Sequence, residues 1–162
     1  MDRLWAPWRG VYVGKDQGSQ CIFCEKLDAS GDKDQENHVL YRGNQVFVIL
    51  NIFPYNSGHL LVAPKRHVGD IEDLNPEEMQ ELFSTTQNMV KVLRIAFKPD
   101  GFNVGINLGK VAGAGIPGHL HIHIVPRWNG DNNFMPVLGD VRVISEALDT
   151  TFNKLKAAMN KE

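Results

Sequence analysis

Cysteine is scarce in this chain, and the scarcity excludes one class of protein. The 162 residues include two cysteines, Cys21 and Cys24, too few for the disulfide framework of a small secreted domain. Apolar runs are short, and none approaches the roughly 18 residues of a membrane-spanning helix. The N-terminal stretch MDRLWAPWRGVYVGKDQ is charged and interrupted by proline, unlike a signal peptide. We therefore expect a cytoplasmic protein with no membrane partner.

An excess of basic charge is also lacking, since 17 lysines and arginines face 19 acidic residues, for a net charge of −2. A strong basic field is typical of nucleic-acid binding, so a small-molecule partner is favoured over nucleic acid. The length and the 43% hydrophobic content suit one domain with its own core. We predict a single domain over residues 1–162, with an N-terminal arm (1–37), a core (38–137) and a C-terminal helix (138–162).

The pattern of apolar residues predicts an α+β fold. Five segments rich in β-branched and aromatic residues have strand character and are bounded by turn signals: HVLYR (38–42), QVFVILN (45–51), HLLVAPK (59–65), GFNVGINL (101–108) and HLHIHIVP (119–126). The short connections among the first three favour antiparallel pairing. The prediction is a mostly antiparallel five-stranded sheet.

Two helices are predicted to accompany the sheet. The first has Asn75 as N-cap, Pro76 in the first position and Glu78 three residues after the cap, which together form a helix start signal. Its apolar stripe, which is expected to cover the sheet, includes Met79 and Phe83 and ends before KPDG. The second helix is expected to begin near residue 145.

Half of the six histidines fall within five residues, at His119, His121 and His123. On a strand these side chains share one face, while the intervening apolar residues point into the core. If this face were merely exposed to solvent, lysine, threonine or glutamate would serve equally well, so solvent exposure alone does not explain three histidines. A single metal ion cannot bind all three, because at about 3.3 Å per residue the outer pair are roughly 13 Å apart. At least one histidine has another role, and a neutral imidazole held at one nitrogen is a good nucleophile near pH 7.

Two further segments suggest binding sites. The glycine-rich GKVAGAGIPG (109–118) directly precedes the histidines, and such loops can present several N–H groups to an anion, although this one lacks the Gly-Lys-Ser/Thr of a P-loop. The CIFC pair is compatible with a redox pair, half of a zinc site or two inert core thiols. No βαβ context supports the redox reading, and zinc needs two more ligands, for which His38, His67 and one strand histidine are available.

The chain resembles the histidine-triad (HIT) superfamily of nucleotide hydrolases and transferases. The resemblance rests on HLHIHIV. Within the superfamily, the chain is most similar to the bacterial diadenosine-tetraphosphate phosphorylase branch (ATP adenylyltransferase-like). The segments that carry it are LWAPWR (4–9), CIFC (21–24), NIFPYNSGHLLVAPKRH (51–67), NLG (107–109), HLHIHIVPRW (119–128) and GDNNF (130–134). It implies a HIT-like fold and, as commonly in this superfamily, a homodimer.

The resemblance implies roles for individual residues. His121 matches a nucleophile that attacks the α-phosphorus and forms a covalent nucleotidyl-histidine, which water or phosphate then resolves. His123 matches a histidine that supports the phosphates, and His59 matches a fourth histidine close to the site. The implied substrate-binding residues are Asn51 for the ribose, Asn107 for the nucleotide, the backbone of Gly113, Ala114 and Gly115 for phosphate oxygens, and Ile49 and Leu61 for the base.

The same resemblance implies a structural zinc ion held by Cys21, Cys24, His67 and His119, which would pin the N-terminal arm beside the histidine strand. Oriented N–H groups and imidazoles can stabilise the phosphoanhydride transition state without a catalytic metal, while a magnesium ion carried by the nucleotide is compatible with it.

The chain departs from the pattern at Gly115 and Ile116, where several hydrolases and phosphoramidases of the superfamily carry glutamine or serine. This departure leaves open whether water or phosphate is the second acceptor. The expected function is cleavage of the phosphoanhydride of diadenosine polyphosphates by phosphorolysis or hydrolysis. One alternative is an adenosine 5′-phosphoramidate hydrolase, which Gly115 and Ile116 disfavour. Another is a zinc-stabilised nucleotide-binding module without turnover, which an intact His121 disfavours.

Overall fold

The computed structural model describes residues 21–132 and 146–161 of the chain. The strands of the described part are β1 (Val39–Arg42), β2 (Val46–Leu50), β3 (Leu60–Pro64), β4 (Gly101–Ile106) and β5 (Ile122–Arg127). Its α-helices are α1 (Ile22–Asp28), α2 (Pro76–Phe97) and α3 (Leu148–Met159), and short 3-10 turns span Gly31–Lys33, Ile71–Asp73 and Lys110–Ala112. The predicted motifs LWAPWR and the end of GDNNF, and the expected helix start near residue 145, lie outside the described residues.

The strands form one sheet in the order β1-β2-β3-β5-β4, in which every neighbouring pair is antiparallel. The predicted α+β fold with a mostly antiparallel five-stranded sheet is therefore confirmed. The last strand begins at Ile122 rather than at His119, because the Leu120 N–H donates to the carbonyl of Val68 (2.7 Å), which lies outside the sheet. Within the described residues, the C-terminal helix begins at Leu148.

Helix α2 begins with the predicted capping box. The Asn75 side chain accepts from the Glu78 N–H (2.7 Å), and the Glu78 carboxylate accepts from the Asn75 N–H (3.0 Å). The expected apolar stripe is wrong at Met79 and Phe83, which are exposed. The buried face of the helix lies to one side of them, at Leu82, Thr85, Thr86, Met89, Val92 and Leu93.

The sheet has an apolar cluster on each face. Helices α2 and α3 cover one face, where Leu120, Ile122 and Ile124 pack into the larger cluster as the alternation predicts. Helix α1, which the sequence pattern did not predict because seven residues carry too little periodicity, lies on the other face. Its Phe23 packs there with Phe47 of β2, beside the histidines. No helix in the two described ranges is both long and apolar enough to cross a membrane.

Candidate active site

A row of side chains crosses four strands on one face of the sheet, and three of its members, Ile49, Leu61 and His123, line a pocket. The strand register aligns Val39 with Ile49, Ile49 with Leu61, and Leu61 with His123, so the four side chains share one face of the sheet. Strands lie about 4.8 Å apart, so the row is roughly 14 Å long. The pocket above it is lined by Ile22, Phe23, Lys26, Ile49, Leu50, Asn51, Ile52, Phe53, Tyr55, Leu61, Gly113, Gly115, Ile116, His121 and His123.

His121 is oriented for chemistry at one nitrogen. The carbonyl oxygen of His119 lies 2.8 Å from its Nδ1 and can only accept, so Nδ1 carries the hydrogen and Nε2 keeps its lone pair. The side chain is 5% exposed, and the Phe23 ring packs 5.1 Å from it. Burial lowers the pKa of His121 against the opposing effect of the carbonyl contact, so the imidazole is neutral at pH 7.

A hydrogen-bond chain determines the tautomer of His123. The backbone N–H of Tyr55 donates to Nδ1 of His59 (3.0 Å), which requires the His59 hydrogen to sit on Nε2. That Nε2 is 2.9 Å from Nδ1 of His123, so it donates there, and a neutral His123 carries its own hydrogen on Nε2. The Tyr55 ring stacks on His123 at 5.8 Å between centroids and an interplanar angle of 11°. His59 is fully buried and lies behind His123 rather than in the pocket lining.

Most of the substrate-binding residues that the sequence suggested come together here. The pocket lining contains Asn51, Ile49, Leu61, Gly113 and Gly115. The lining does not include the other two, Asn107 and Ala114: the Asn107 amide donates to the Gly113 carbonyl (3.4 Å) and braces the glycine-rich loop, while Ala114 is buried. Ile22, Phe23, Lys26 and Tyr55 also line the pocket and were not anticipated.

A second group of residues converges beside the pocket. One ligand atom from each of Cys21, Cys24, His67 and His119 lies within 4.8 Å of the others. The Cys21 Sγ is 3.3 Å and the Cys24 Sγ 3.7 Å from Nδ1 of His119, and the Cys24 Sγ is 3.4 Å from Nδ1 of His67. Sulfur and nitrogen ligands of one tetrahedral zinc ion are roughly 3.6 Å apart, so the group could hold a metal ion.

The protonation of this group also suits a cation. The His119 Nε2 donates to the Pro64 carbonyl (2.7 Å), so its Nδ1 lone pair faces the two sulfurs. The pKa of the Cys24 thiol is raised to about 11, mainly because burial disfavours the thiolate and further through the neighbouring Cys21 side chain. A bound divalent cation would reverse that effect and hold both sulfurs as thiolates.

A polar clamp fastens the loop before β3 to the end of β5. The Asp131 carboxylate accepts two hydrogen bonds from Arg127 (2.6 and 2.8 Å), one from the Trp128 N–H (3.1 Å) and one from the Asn56 side-chain amide (2.9 Å). The Arg127 guanidinium is the main reason that the pKa of Asp131 falls to about 2. Asn56 follows Tyr55, so the clamp restrains the segment whose N–H orients His59.

Comparison with known proteins places these features in a family. A sequence model of the HIT domain matches residues 32–130. The AP-4-A phosphorylase of Mycobacterium tuberculosis is 41% identical over 157 residues, covering 93% of this chain and 80% of that protein. The asymmetrical bis(5′-nucleosyl)-tetraphosphatase of Schizosaccharomyces pombe is 36% identical over 95 residues, covering 59% and 52%. A zinc-bound histidine triad family protein from Mycobacterium smegmatis has a similar structure (TM-score 0.71, 30% identity, covering 88% and 94%).

Proposed function

Because the chain belongs to the HIT domain family, we propose that it is an enzyme that cleaves the phosphoanhydride of diadenosine polyphosphates through a covalent nucleotidyl intermediate on His121. The orientation of His121 carries this proposal. Its Nδ1–H is held by a backbone carbonyl, its Nε2 lone pair is available, and the residue lines the pocket next to the glycine-rich loop. The two relatives named for enzymes of diadenosine tetraphosphate and bis(nucleosyl)-tetraphosphate metabolism support the substrate class.

The proposed reaction has two steps. His121 Nε2 attacks the α-phosphorus of diadenosine tetraphosphate, forming an N–P bond while the bond to the bridging oxygen breaks and ATP leaves. Phosphate or water then attacks the same phosphorus and breaks the N–P bond, releasing ADP or AMP and returning the neutral imidazole. Neither step requires a metal ion bound by the protein, although the nucleotide can bring magnesium with it.

His123 is proposed to stabilise the charge that develops on the phosphates. In the tautomer set by His59 and Tyr55 its Nε2 is a donor, which suits a phosphate oxygen and not a base role. His59 contacts His123 but does not itself line the pocket, so it is proposed as a positioning residue. Asn51, whose amide lies 3.3 Å from the His59 Nδ1, is proposed to bind the ribose from the same end of the pocket.

The glycine-rich loop is proposed to hold phosphate oxygens by its backbone. Gly113 has φ of 94°, a left-handed conformation that glycine adopts without strain. The Gly113 and Ala114 N–H groups donate to the carbonyls of Lys110 (3.1 Å) and Gly109 (3.2 Å), so the N–H of Gly115, which lines the pocket, is proposed as the phosphate donor. Gly115 contributes no side chain to the lining, which leaves room for an inorganic phosphate as second acceptor. Asn107 is proposed to contribute by bracing this loop through Gly113.

The test is product identification with and without inorganic phosphate. The parent, His121→Asn and a matched control, His38→Asn, are incubated with diadenosine tetraphosphate. His38 lies outside the pocket, bonds Asp149 (2.9 Å) and has φ of 57°, which asparagine tolerates. We expect turnover by the parent and the control, none by His121→Asn, and trapping of a nucleotidyl-protein adduct by acid-free quenching only where His121 is present.

The products then decide the second acceptor. ATP with ADP, only when phosphate is supplied, identifies a phosphorylase, and ATP with AMP in either buffer identifies a hydrolase. Activity that survives His121→Asn, or a parent that processes no dinucleotide, contradicts the proposal. Turnover of adenosine 5′-phosphoramidate alone would favour the phosphoramidase.

We propose that Cys21, Cys24, His67 and His119 hold a structural zinc ion. Its ligand set contains two thiolates and two imidazoles and no open position, as in structural zinc sites. We expect about one zinc per chain by elemental analysis, loss of it in Cys24→Ser, and a lower unfolding temperature for that variant. A parent purified without zinc that gains no thermal stability on zinc addition would contradict this assignment.

A homodimer is proposed as well, with β4 as the contact. β4 is an edge strand of the described sheet, and its residue Val104 is 50% exposed. An exposed strand edge is a template for pairing with another chain. Sedimentation of the parent and of Val104→Lys tests it: the parent is expected as a dimer and the variant as a monomer.

A further inference from the structure

Lys26 supplies the one cationic side chain in the described pocket lining. It lies on α1, one turn from Ile22 and Phe23, and is half-buried. Its ammonium donates to the Asn37 carbonyl (3.1 Å). Asn37 lies two residues before Val39 of β1, which ends the row of aligned side chains on the side farthest from His123. Lys26 therefore stands at the end of the pocket remote from the histidines.

Among the described lining residues, no other polar or charged side chain lies at that end. Asn51 contacts His59, and Tyr55 stacks on His123, so both polar side chains belong to the histidine end. The remaining large lining side chains are purely apolar: Ile22, Phe23, Ile49, Leu50, Ile52, Phe53, Leu61 and Ile116. Apolar and aromatic walls stack on any base without preference, because every base has a π-face. A lysine ammonium can discriminate, because it is a donor with three hydrogens and no acceptor.

The location matches the base of the bound nucleotide. If the α-phosphorus sits at His121, the ribose and base extend across Leu61 and Ile49 toward β1, away from the histidines. Guanine presents O6 and N7 as adjacent acceptors on one edge, whereas adenine presents N7 beside the N6 amino donor. An ammonium is attracted by the first edge, and the N6 donor of the second opposes it. Asn37 uses one of the three hydrogens, and two can serve the base.

We propose that Lys26 is a specificity-determining residue that contacts the base edge and favours 6-oxopurine nucleotides over their 6-aminopurine counterparts. The inference rests on the proposed function, since it places the α-phosphate at His121. It extends that function from diadenosine polyphosphates to dinucleoside polyphosphates with 6-oxopurine bases, and it assigns the preference between the two to a residue on α1. The short helix thereby links the cysteine pair at its start to the base end of the pocket.

The first test compares two substrates. We would measure kcat/KM for diguanosine tetraphosphate and diadenosine tetraphosphate with the parent, Lys26→Met and Lys33→Met. Lys33 is an exposed lysine on the same arm, outside the pocket lining, and serves as the matched control. We expect Lys26→Met to lower the guanosine-to-adenosine ratio about tenfold, the effect of one charge-assisted hydrogen bond, mainly through KM. The ratio of the control is expected to equal that of the parent, and Lys26→Arg should restore part of the preference.

A second measurement keeps the inference separate from the proposed chemistry. Titration calorimetry with GMP and with AMP reports base preference in the parent and in Lys26→Met even if neither dinucleotide is turned over. If the parent binds both nucleotides but cleaves no dinucleotide, the proposed reaction is overturned. The role of Lys26 is then tested by the ratio of the GMP and AMP affinities. An unchanged ratio in Lys26→Met, whether both affinities fall or neither does, would overturn the role of Lys26. Zinc content and unfolding temperature of each variant confirm that α1 is intact.

Discussion

Replacing Asp131 with asparagine should measurably loosen the clamp between the loop before β3 and the end of β5. The carboxylate is 9% exposed and accepts four hydrogen bonds, two of them from the Arg127 guanidinium. An asparagine has one acceptor oxygen and an amide that would face the guanidinium with like-signed hydrogens. The substitution therefore removes the ion pair. It also leaves the Asn56 amide, the Trp128 N–H and Arg127 to compete for a single acceptor oxygen.

The magnitude follows from the pKa of Asp131, which falls from about 3.8 to about 2, chiefly through Arg127. A depression of nearly two units corresponds to about 2 kcal/mol of stability at neutral pH. Because the guanidinium is 36% exposed, solvent screening reduces this, and we expect about 1 to 2 kcal/mol. For a chain of this size the loss lowers the unfolding temperature by about 2–8 °C.

Thermal and urea unfolding would test this loss of stability in the parent, in Asp131→Asn and in a control, Asp70→Asn. Asp70 suits the control because it is exposed and its side chain makes no capping hydrogen bond. The carboxylate has a depressed pKa in the folded state, so its contribution is complete above about pH 4 and is lost as the pH falls toward 2. The gap between parent and variant should close over that window. A variant as stable as the control at pH 7, or a gap that does not change between pH 4 and 2, would refute the reasoning.

Three further changes test other parts of the structure. Glu78→Ala removes a buried carboxylate that caps α2 and accepts two hydrogen bonds from Arg66 (2.8 and 2.8 Å). The free energy of unfolding, measured in urea, should fall by about 2–3 kcal/mol, and a loss below about 1 kcal/mol would mean that the pair is solvated. Gly69→Ala places a Cβ 2.7 Å from the Pro117 carbonyl, so it should lower stability by about 1–3 kcal/mol and reduce turnover as the segment before the histidines shifts. His59→Gln should lower kcat about tenfold to hundredfold with KM little changed, and a change confined to KM would contradict its positioning role.

Local rules were enough to predict the framework of the fold. Alternation at residues 119–124 predicts Leu120, Ile122 and Ile124 in the core because a strand has a period of two. All three pack there, although only Ile122 and Ile124 lie on β5. The Asn75 capping box forms because it depends on contacts within four residues. The stripe at Met79 and Phe83 was wrong because helical spacing fits more than one face, and the packing of α2 on the sheet chooses among them.

The chemistry of the site depends on contacts that no local pattern contains. Cys21 and His119 are 98 residues apart in the chain and 3.3 Å apart in space, because α1 docks against the histidine face of the sheet. The tautomers of His121 and His123 are determined by a carbonyl and by the Tyr55 N–H, which the sequence does not position. Lys26 reaches the pocket only because Phe23 and Leu27 hold α1 against the apolar cluster on this face of the sheet. The residue types and their spacing could thus be read from the chain, whereas proton placement and pocket membership depend on the packing of distant segments.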